Sequence, residues 1–222
     1  MKVQFPFLRT ARGKQIALAL FLVFVSTLII DQVSKRHAHR TLLTEESGTN
    51  LDLYRSSYYD VGTLGKESLD PANPTPFARL KFHYQRNRGA AFSMLANLDD
   101  KIRIPFFYAV TIFSVLYIMF YLKSLPINYH LTRFGLVMIM AGAIGNFIDR
   151  IIQGYVIDFV DVSWNIFGWR HDFAVFNVAD IAINIGIIAF ILEMLLRRKP
   201  VYAVFQEMPK TAPVVEAQAP RA

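Results

Sequence analysis

Four stretches of mostly apolar residues alternate with polar segments along the chain. A helix needs about 20 apolar residues to cross the hydrocarbon core of a bilayer. The four stretches approach that length, and they run over residues 15–33, 104–122, 134–148 and 178–196. The third stretch is short, so its polar ends must reach the membrane interface. The pattern predicts four transmembrane α-helices.

The composition supports a membrane protein. Of the 222 residues, 54% are hydrophobic and only 18% are charged, and the mean hydropathy is +0.31. An ordinary soluble domain of this size is less apolar. The chain has no cysteine, which excludes disulfides, thiolate metal sites and a thiol nucleophile. Its net charge of +7 lies largely beside the apolar stretches and in the loop after the first one, which favours contact with anionic lipids over nucleic acid.

Basic residues near the ends of the stretches predict their orientation. Those near the predicted cytoplasmic ends are Lys2, Arg9, Arg12, Lys14, Lys123, Arg133, Arg197, Arg198 and Lys199. By the positive-inside rule, both termini and the short second connection lie in the cytoplasm, and residues 34–103 and 149–177 lie outside. A cleaved signal peptide is the alternative for the first stretch, but residues 25–32 contain no A-x-A-like cleavage site. We therefore expect a retained helix.

The chain is predicted to form a single four-helix membrane domain over residues 1–200. Within it, the polar segment 37–76 ends in a Pro-rich run and is interpreted as an insertion on the outer face. Residues 201–222 have no helical period and too few apolar residues for a core. They are predicted to form a flexible cytoplasmic tail.

The unusual polar residues all fall at the outer face of this topology. Asp180 lies within the fourth apolar stretch, where a charged group is costly and by default functional. Asp31 is expected to end the first helix at the same face. The remaining residues of this set are Asn87, Asn146, Asp149, Arg150, Asp158 and Asn177. A single site at the outer interface accounts for all of them.

Helical spacing brings parts of this site together. Asn177 and Asp180 are three residues apart and so share one face of the fourth helix. Pairs of small residues four apart allow two helix backbones to approach closely. Such pairs occur in the third and fourth stretches, at Ala141 and Gly145 and at Ala182 and Gly186. We expect these two helices to pack together at their outer ends.

Two aspartates in a partly desolvated site have a defined chemistry. Carboxylates held as close as we expect for Asp158 and Asp180 cannot both ionise cheaply, so the pair shares one proton. The ionised member activates a water, and the protonated member polarises a carbonyl and later assists departure of the amine. This chemistry hydrolyses a peptide bond with neither a metal nor a covalent intermediate. Aspartates near helix ends are also common as structural groups, so spacing alone leaves both interpretations open.

Five motifs in order carry a family resemblance. They are Asp31-Gln-Val-Ser-Lys35, Asn87-Arg-Gly-Ala-Ala-Phe-Ser93, Gly142-Ala-Ile-Gly-Asn-Phe-Ile-Asp-Arg150, Val156-Ile-Asp-Phe159 and Phe173-Ala-Val-Phe-Asn-Val-Ala-Asp180. Together they closely resemble the bacterial lipoprotein signal peptidases, also called signal peptidase II. The resemblance covers the four apolar stretches and the outer motifs, and it leaves out the insertion and the tail.

The resemblance implies an all-α integral protein of the bacterial inner membrane, with four transmembrane helices and a small β-rich element on the outer, periplasmic face. It implies an aspartic endopeptidase that cuts prolipoproteins before a diacylglyceryl-modified cysteine. Asp158 and Asp180 match the catalytic pair. Residues matching substrate-binding positions are Asn87, Gly89, Asn146, Arg150 and Asn177, and those matching supporting positions are Asp31, Lys35 and Asp149. The implied partners are the lipidated prolipoprotein, membrane lipids and the inhibitor globomycin.

Several residues also have simpler interpretations. Asp31 and Lys35 could form only an i,i+4 ion pair, and Asp149 with Arg150 could form an interfacial pair. Ser34 beside Lys35 suggests a Ser-Lys peptidase, but adjacent helical residues point in different directions. The four outer histidines, His37, His39, His83 and His171, match no metal-ligand spacing, so no metal or other cofactor is predicted.

Proteins of another class would also place carboxylates in membrane helices. A small transporter usually has inverted repeats and a site near the bilayer midplane. A noncatalytic lipid-binding or assembly protein would explain the basic flanks, but it has no need of two aspartates together. Both remain alternatives at the level of sequence.

Overall fold

The computed structural model of the chain describes residues 10–46, 54–64, 78–89, 99–166 and 169–197. Its four long helices are α1 (Ala11–Leu42), α2 (Asp100–Ser124), α3 (His130–Gln153) and α4 (Val178–Leu196). Each is long and apolar enough to cross a membrane. The prediction of four transmembrane helices is therefore confirmed, whereas their orientation stays a prediction. The proposed tail at 201–222 lies outside the described residues.

Helix α1 is longer than the hydropathy pattern predicted. The expectation that Asp31 ends the helix is wrong, because α1 continues for eleven residues to Leu42. The Asp31 carboxylate lies 2.9 Å from the Lys35 amine one turn later, so the helix continues past a satisfied charge. Ala38 and Leu42, near the end of this extension, are buried. The extension thus supplies an apolar surface beyond the transmembrane part of the helix.

A small antiparallel β-element lies at the end of the helix bundle where α1 ends, as predicted. The strands are β1 (Leu43–Glu46), β2 (Tyr54–Ser56), β3 (Tyr58–Leu64), β4 (Ala78–Asn87), β5 (Val156–Ile166) and β6 (Trp169–Asp172). Strands β1 and β2 form one pair, and the other four form a sheet in the order β3-β4-β5-β6. The predicted insertion is therefore continuous with the rest of the fold: its first residues belong to α1, and its β3 pairs with β4. Residues 47–53 and 65–76 of the insertion lie outside the described parts of the chain.

Packing of the sheet against α1 determines which way β5 presents its side chains. Ile157 and Phe159 are buried in an apolar cluster with Ala38 and Leu42 of α1. Successive side chains on a strand point to opposite faces. Asp158 therefore points away from α1, toward the ends of α3 and α4.

Helices α3 and α4 pack closely through small residues, as predicted. A side chain at Gly142 would collide with the Ala179 carbonyl oxygen, and one at Gly135 would lie 2.5 Å from the carbonyl oxygen of Gly186. A side chain at Gly145 would reach the carboxylate of Asp31 at 2.5 Å. These glycines are needed because backbone and a buried carboxylate occupy the space where a Cβ would stand. The close approach brings Asn146 of α3 next to the first turn of α4.

Candidate active site

The first turn of α4 is joined to β5 just before the helix begins. Phe176 and Val160 exchange two backbone hydrogen bonds of 2.8 and 3.0 Å. This bridge places Asn177, the N-cap of α4, beside the strand that carries Asp158. Asn177 and Asp180 form a capping box, in which each side chain accepts a hydrogen bond from the other residue's backbone N–H at 3.0 and 3.1 Å. Both aspartates consequently lie at one end of the helix bundle.

Two asparagines hold the Asp158 carboxylate with their amide N–H groups. Asn87 donates to Oδ2 at 2.9 Å, and Asn177 donates to Oδ1 at 2.6 Å. The orientation of each amide is fixed, because its oxygen already accepts a backbone N–H, from Gly89 for Asn87 and from Asp180 for Asn177. A backbone N–H can only donate, so the NH₂ groups must face the carboxylate. Asp158, only 2% exposed, thus has two ordered donors.

Asn146 holds the Asp180 carboxylate in the same way, with an N–H group of its side-chain amide. Its Nδ2 donates to Asp180 Oδ1 at 2.9 Å. Its Oδ1 accepts from the Lys35 amine at 2.9 Å and from Asn177 Nδ2 at 3.2 Å. Because a lysine ammonium has no acceptor, the Asn146 oxygen must face Lys35 and its NH₂ must face Asp180. Lys35 therefore helps to fix the orientation in which the Asn146 side-chain amide faces the aspartate pair.

A buried charge network beneath Asn146 involves three of the predicted supporting residues. Besides Asn146, the Lys35 amine contacts Asp31 at 2.9 Å and Asp149 at 3.0 Å, so all three of its N–H donors are used. The second oxygen of Asp31 accepts the Ala179 backbone N–H at 2.9 Å, which ties α1 to the start of α4. The i,i+4 pair of Asp31 and Lys35 is present, and it is part of a larger arrangement. Lys35 is only 1% exposed, so this arrangement is shielded from solvent.

The structure corrects two interpretations of neighbouring residues. Asp149 and Arg150 do not form a pair, because Asp149 turns to Lys35 and Arg150 donates to the Gly89 carbonyl oxygen at 2.8 Å. The Ser-Lys interpretation also fails, since the Ser34 hydroxyl donates to the Asp31 carbonyl at 2.9 Å while Lys35 is fully engaged with the buried network. In both cases the side chains of adjacent helical residues diverge.

Sequence reasoning missed Gln32. Its Nε2, which has two N–H groups, lies within hydrogen-bond distance of three acceptors: Asp149 Oδ1 at 3.0 Å, Asp31 Oδ2 at 3.1 Å and the Gly145 carbonyl oxygen at 3.2 Å. The residue stands inside the Asp31–Lys35 motif, which is the only signal the sequence offers. Its main partner, Asp149, is 117 residues away along the chain.

Arg150 connects the end of α3 to the segment after β4. Its guanidinium, besides holding Gly89, lies 4.5 Å from the centre of the Phe107 ring. The Tyr108 hydroxyl donates to the Arg150 carbonyl at 3.2 Å, which adds α2 to the same corner. Arg150 therefore fixes the backbone that places Asn87 against Asp158. Residues 90–98, which follow Gly89, lie outside the described chain.

The environment of Asp158 favours its protonated form. Burial is the largest cause and the negative charge of Asp180 is the second, and together they raise the pKa of Asp158 to about 7. The hydrogen bonds from Asn87 and Asn177 act in the opposite direction. Near neutral pH the site can therefore hold one proton beside a second carboxylate, which is the arrangement that general acid and general base catalysis by two aspartates requires.

The two-aspartate chemistry that the motifs imply would make peptide cleavage decline as the pH rises above about 7. A raised pKa means that Asp158 keeps its proton below that pH and loses it above, so the alkaline form has no acid to offer a carbonyl. Measuring kcat/KM against pH in detergent checks this, with thermal unfolding followed over the same range as a control for stability. A profile that stays flat well above neutral pH in a protein that remains folded would contradict the expectation.

The described part of the chain contains no group of three or more His, Asp or Glu side chains arranged to hold a metal ion. His39 contacts the Tyr84 hydroxyl at 3.1 Å, and His83 contacts Asp161 at 3.5 Å. Both histidines thus have protein partners of their own. The expectation of no metal stays a prediction.

Fold and site together define a class of protein, a multi-pass membrane protein with two aspartates, Asp158 buried and Asp180 partly exposed, held by asparagine amides at one end of its helix bundle. Comparison with known proteins gives the family. The family model described as signal peptidase (SPase) II matches residues 23–196. The chain belongs to the signal peptidase II family, and it is a membrane peptidase of that family.

Individual relatives agree with this assignment. A lipoprotein signal peptidase of Geobacter metallireducens is 37% identical over 174 residues, covering 78% of this chain and 88% of the relative. One of Staphylococcus haemolyticus is 34% identical over 175 residues, covering 78% and 89%. Two solved structures of bacterial membrane enzymes are 28% and 27% identical, with TM-scores of 0.56 and 0.53, and the match covers 82% and 87% of this chain and 94% of each of theirs. The fold and the family assignment are therefore supported independently.

Proposed function

We propose that this protein is an aspartic endopeptidase that removes the signal peptide from diacylglyceryl-modified prolipoproteins, cutting before the lipid-modified cysteine. The observation that carries the proposal is the set of three asparagine amides whose N–H groups are all directed at Asp158 and Asp180. Such a framework orients two carboxylates that would otherwise repel each other. The family of the chain supplies the substrate class.

In the proposed reaction, the aspartate pair starts with one proton. The ionised carboxylate removes a proton from a water, whose oxygen attacks the scissile carbonyl carbon. The protonated carboxyl gives its proton to the carbonyl oxygen, which produces a neutral tetrahedral intermediate. The carboxyl that took the proton from water then gives it to the amide nitrogen, the C–N bond breaks, and a hydroxyl of the intermediate returns its proton to the pair as the new carboxyl group forms, so the pair again holds one proton. The apparent pKa values of these steps belong to the coupled pair.

The remaining predicted site residues have proposed roles around this pair. Asn87, Asn146 and Asn177 orient the carboxylates and bind the substrate backbone where it meets them. Gly89, held by Arg150, presents the segment after β4 to the substrate. Location at one end of the bundle suits a substrate whose lipid stays in the membrane. We place the protein in the bacterial inner membrane, with this end at the periplasmic face.

The test is cleavage of a purified prolipoprotein in detergent, followed by its shift in electrophoretic mobility. Two forms of one substrate are compared, with and without the diacylglyceryl group on the cysteine. We expect cleavage of the lipidated form, inhibition by globomycin, and a lower kcat/KM for the unmodified form by at least about tenfold, because only the lipidated form has hydrocarbon to place in the detergent micelle beside the site. Equal cleavage of the two forms would contradict the proposed substrate class.

A further inference from the structure

Two arginines on the outer extension of α1 are not used by the proposed reaction. Arg36 and Arg40 are both exposed, and among the described residues neither has a hydrogen-bond or ion-pair partner. They are four residues apart, so they stand on one helix face with Cβ atoms about 5–6 Å apart. Two guanidinium groups at this spacing can close on a single phosphate from two sides.

The arginines border a groove between the outer ends of α1 and α3. Its volume is about 240 Å³. His39 and Gln153 contribute polar atoms to the groove, and Ile152 contributes an apolar side. The groove lies on the α1 side of the sheet, because Ile157 also lines it whereas Asp158 points the other way. It is therefore separate from the aspartate pair.

The floor of the groove does not present a free negative charge. Asp149 is only 4% exposed, and its oxygens are occupied by Lys35, by Gln32 and by the Ile157 backbone N–H at 3.3 Å. An anion at the rim would therefore meet the two guanidinium groups and avoid a bare carboxylate. The positive charge of the groove is therefore at its rim, and the negative charge of Asp149 in its floor is already partly neutralised.

The apolar side chains next to the groove lie on the surface of the helix bundle, as side chains that face lipid do. Ile152 is 67% exposed, and Val33, one turn below Arg36 on α1, is 60% exposed. Both belong to helices long and apolar enough to cross a membrane. A ligand that fits this surface has a phosphate at the level of Arg36 and Arg40, and hydrocarbon beside Ile152 and over Val33, which lies one turn below Arg36. A soluble phosphate would contact only the arginines and leave the apolar surface uncovered.

We propose that this groove binds the phosphodiester headgroup of an anionic phospholipid, such as phosphatidylglycerol, in the leaflet on the side of the aspartate pair. The guanidinium groups of Arg36 and Arg40 bind the phosphate, and the acyl chains lie over Val33 and Ile152. Basic pockets between membrane helices bind anionic headgroups in this way. The bound lipid spans α1 and α3 directly above the Lys35–Asp149 contact, so it stabilises the helix ends that support the site.

The experiment is native mass spectrometry of the full-length protein, delipidated in detergent and then supplied with defined lipids. Phosphatidylglycerol is compared with phosphatidylcholine of the same acyl chains, since both have a phosphate but only the first has a net charge. The wild type should retain the anionic lipid in preference, and thermal unfolding should shift upward with its concentration. Arg36→Gln and Arg40→Gln should each weaken that retention about fivefold or more.

Lys101→Gln is the matched control, because Lys101 is an exposed cation at the same end of the bundle but on α2 and outside the groove. It should retain phosphatidylglycerol as the wild type does. The variants Arg36→Lys and Arg40→Lys, which keep the charge and lose the bidentate geometry, should retain an intermediate amount. Unchanged retention by both glutamine variants, or equal retention of the two lipids, would overturn the proposal. Stabilisation by free glycerol phosphate equal to that by the lipid would also overturn it, in favour of a soluble anion site.

Discussion

Asp158→Asn and Asp180→Asn are each expected to lower the turnover of lipidated prolipoprotein by roughly 10²–10⁴-fold, the usual contribution of general acid and base groups. An asparagine at position 158 has no acidic proton to give to a carbonyl oxygen. At position 180 it cannot accept a proton from water. Each variant therefore leaves one member of a pair whose chemistry needs two. The measurement is single-turnover cleavage in detergent, which separates chemistry from product release.

The same strand offers a matched control. Asp161 lies on β5 three residues after Asp158, contacts His83 at 3.5 Å and has no contact with the asparagine framework. Asp161→Asn should cleave at nearly the wild-type rate. The two site variants should still extract as folded protein, although Asp180→Asn weakens the capping box of α4 by about 1 kcal/mol. Near-normal turnover by either site variant would remove the aspartate pair from the proposed mechanism.

Lys35→Met should have the largest effect on stability. Methionine has nearly the same length but leaves the Asp31 and Asp149 carboxylates buried without their common cation. Breaking a buried ion pair by removing one partner costs about 3–5 kcal/mol. Unfolding by titration with a denaturing detergent measures this loss. Lys101→Met, at an exposed position, should change stability by no more than about 0.5 kcal/mol.

Lys35→Met should also lower activity in the protein that remains folded. Without the ammonium, Asn146 Oδ1 keeps only the longer hydrogen bond from Asn177 Nδ2 at 3.2 Å, so its NH₂ is held less firmly on Asp180. The double variant Lys35→Met with Asp149→Asn removes one unpaired carboxylate and should recover part of the stability, with a coupling energy between about 0.5 and 3 kcal/mol. It should not recover activity, because the shorter of the two hydrogen bonds to Asn146 Oδ1, the one from Lys35, is still missing. The prediction would be contradicted if the stability losses of Lys35→Met and Asp149→Asn simply added in the double variant and kcat stayed normal. Lys35 would then be coupled neither to Asp149 nor to the aspartate pair.

Much of the fold followed from the sequence because lipid imposes a simple rule. A helix surrounded by hydrocarbon must be apolar over about 20 residues, and such runs can be recognised without knowledge of contacts. The small residues of α3 and α4 were informative for a similar reason, since only a missing side chain lets Gly142 meet the Ala179 backbone. The C-terminal part of α1 was missed because residues 34–42 are polar enough for solvent. Their helix is stabilised by packing of Ala38 and Leu42 on a sheet whose strands come from distant parts of the chain.

For the candidate site, the motifs identified Asp158, Asp180 and the three asparagines as a set, and local geometry placed Asn177 and Asp180 on one face of α4. The direction of each amide, the turn of Asp149 away from Arg150, and the role of Gln32 came only from the folded chain. Their partners lie far apart in sequence, with 111 residues between Lys35 and Asn146 and 117 between Gln32 and Asp149. Hydropathy and helical period are local properties, whereas the pairing of buried donors and acceptors depends on which helices and strands meet, and that is settled by packing.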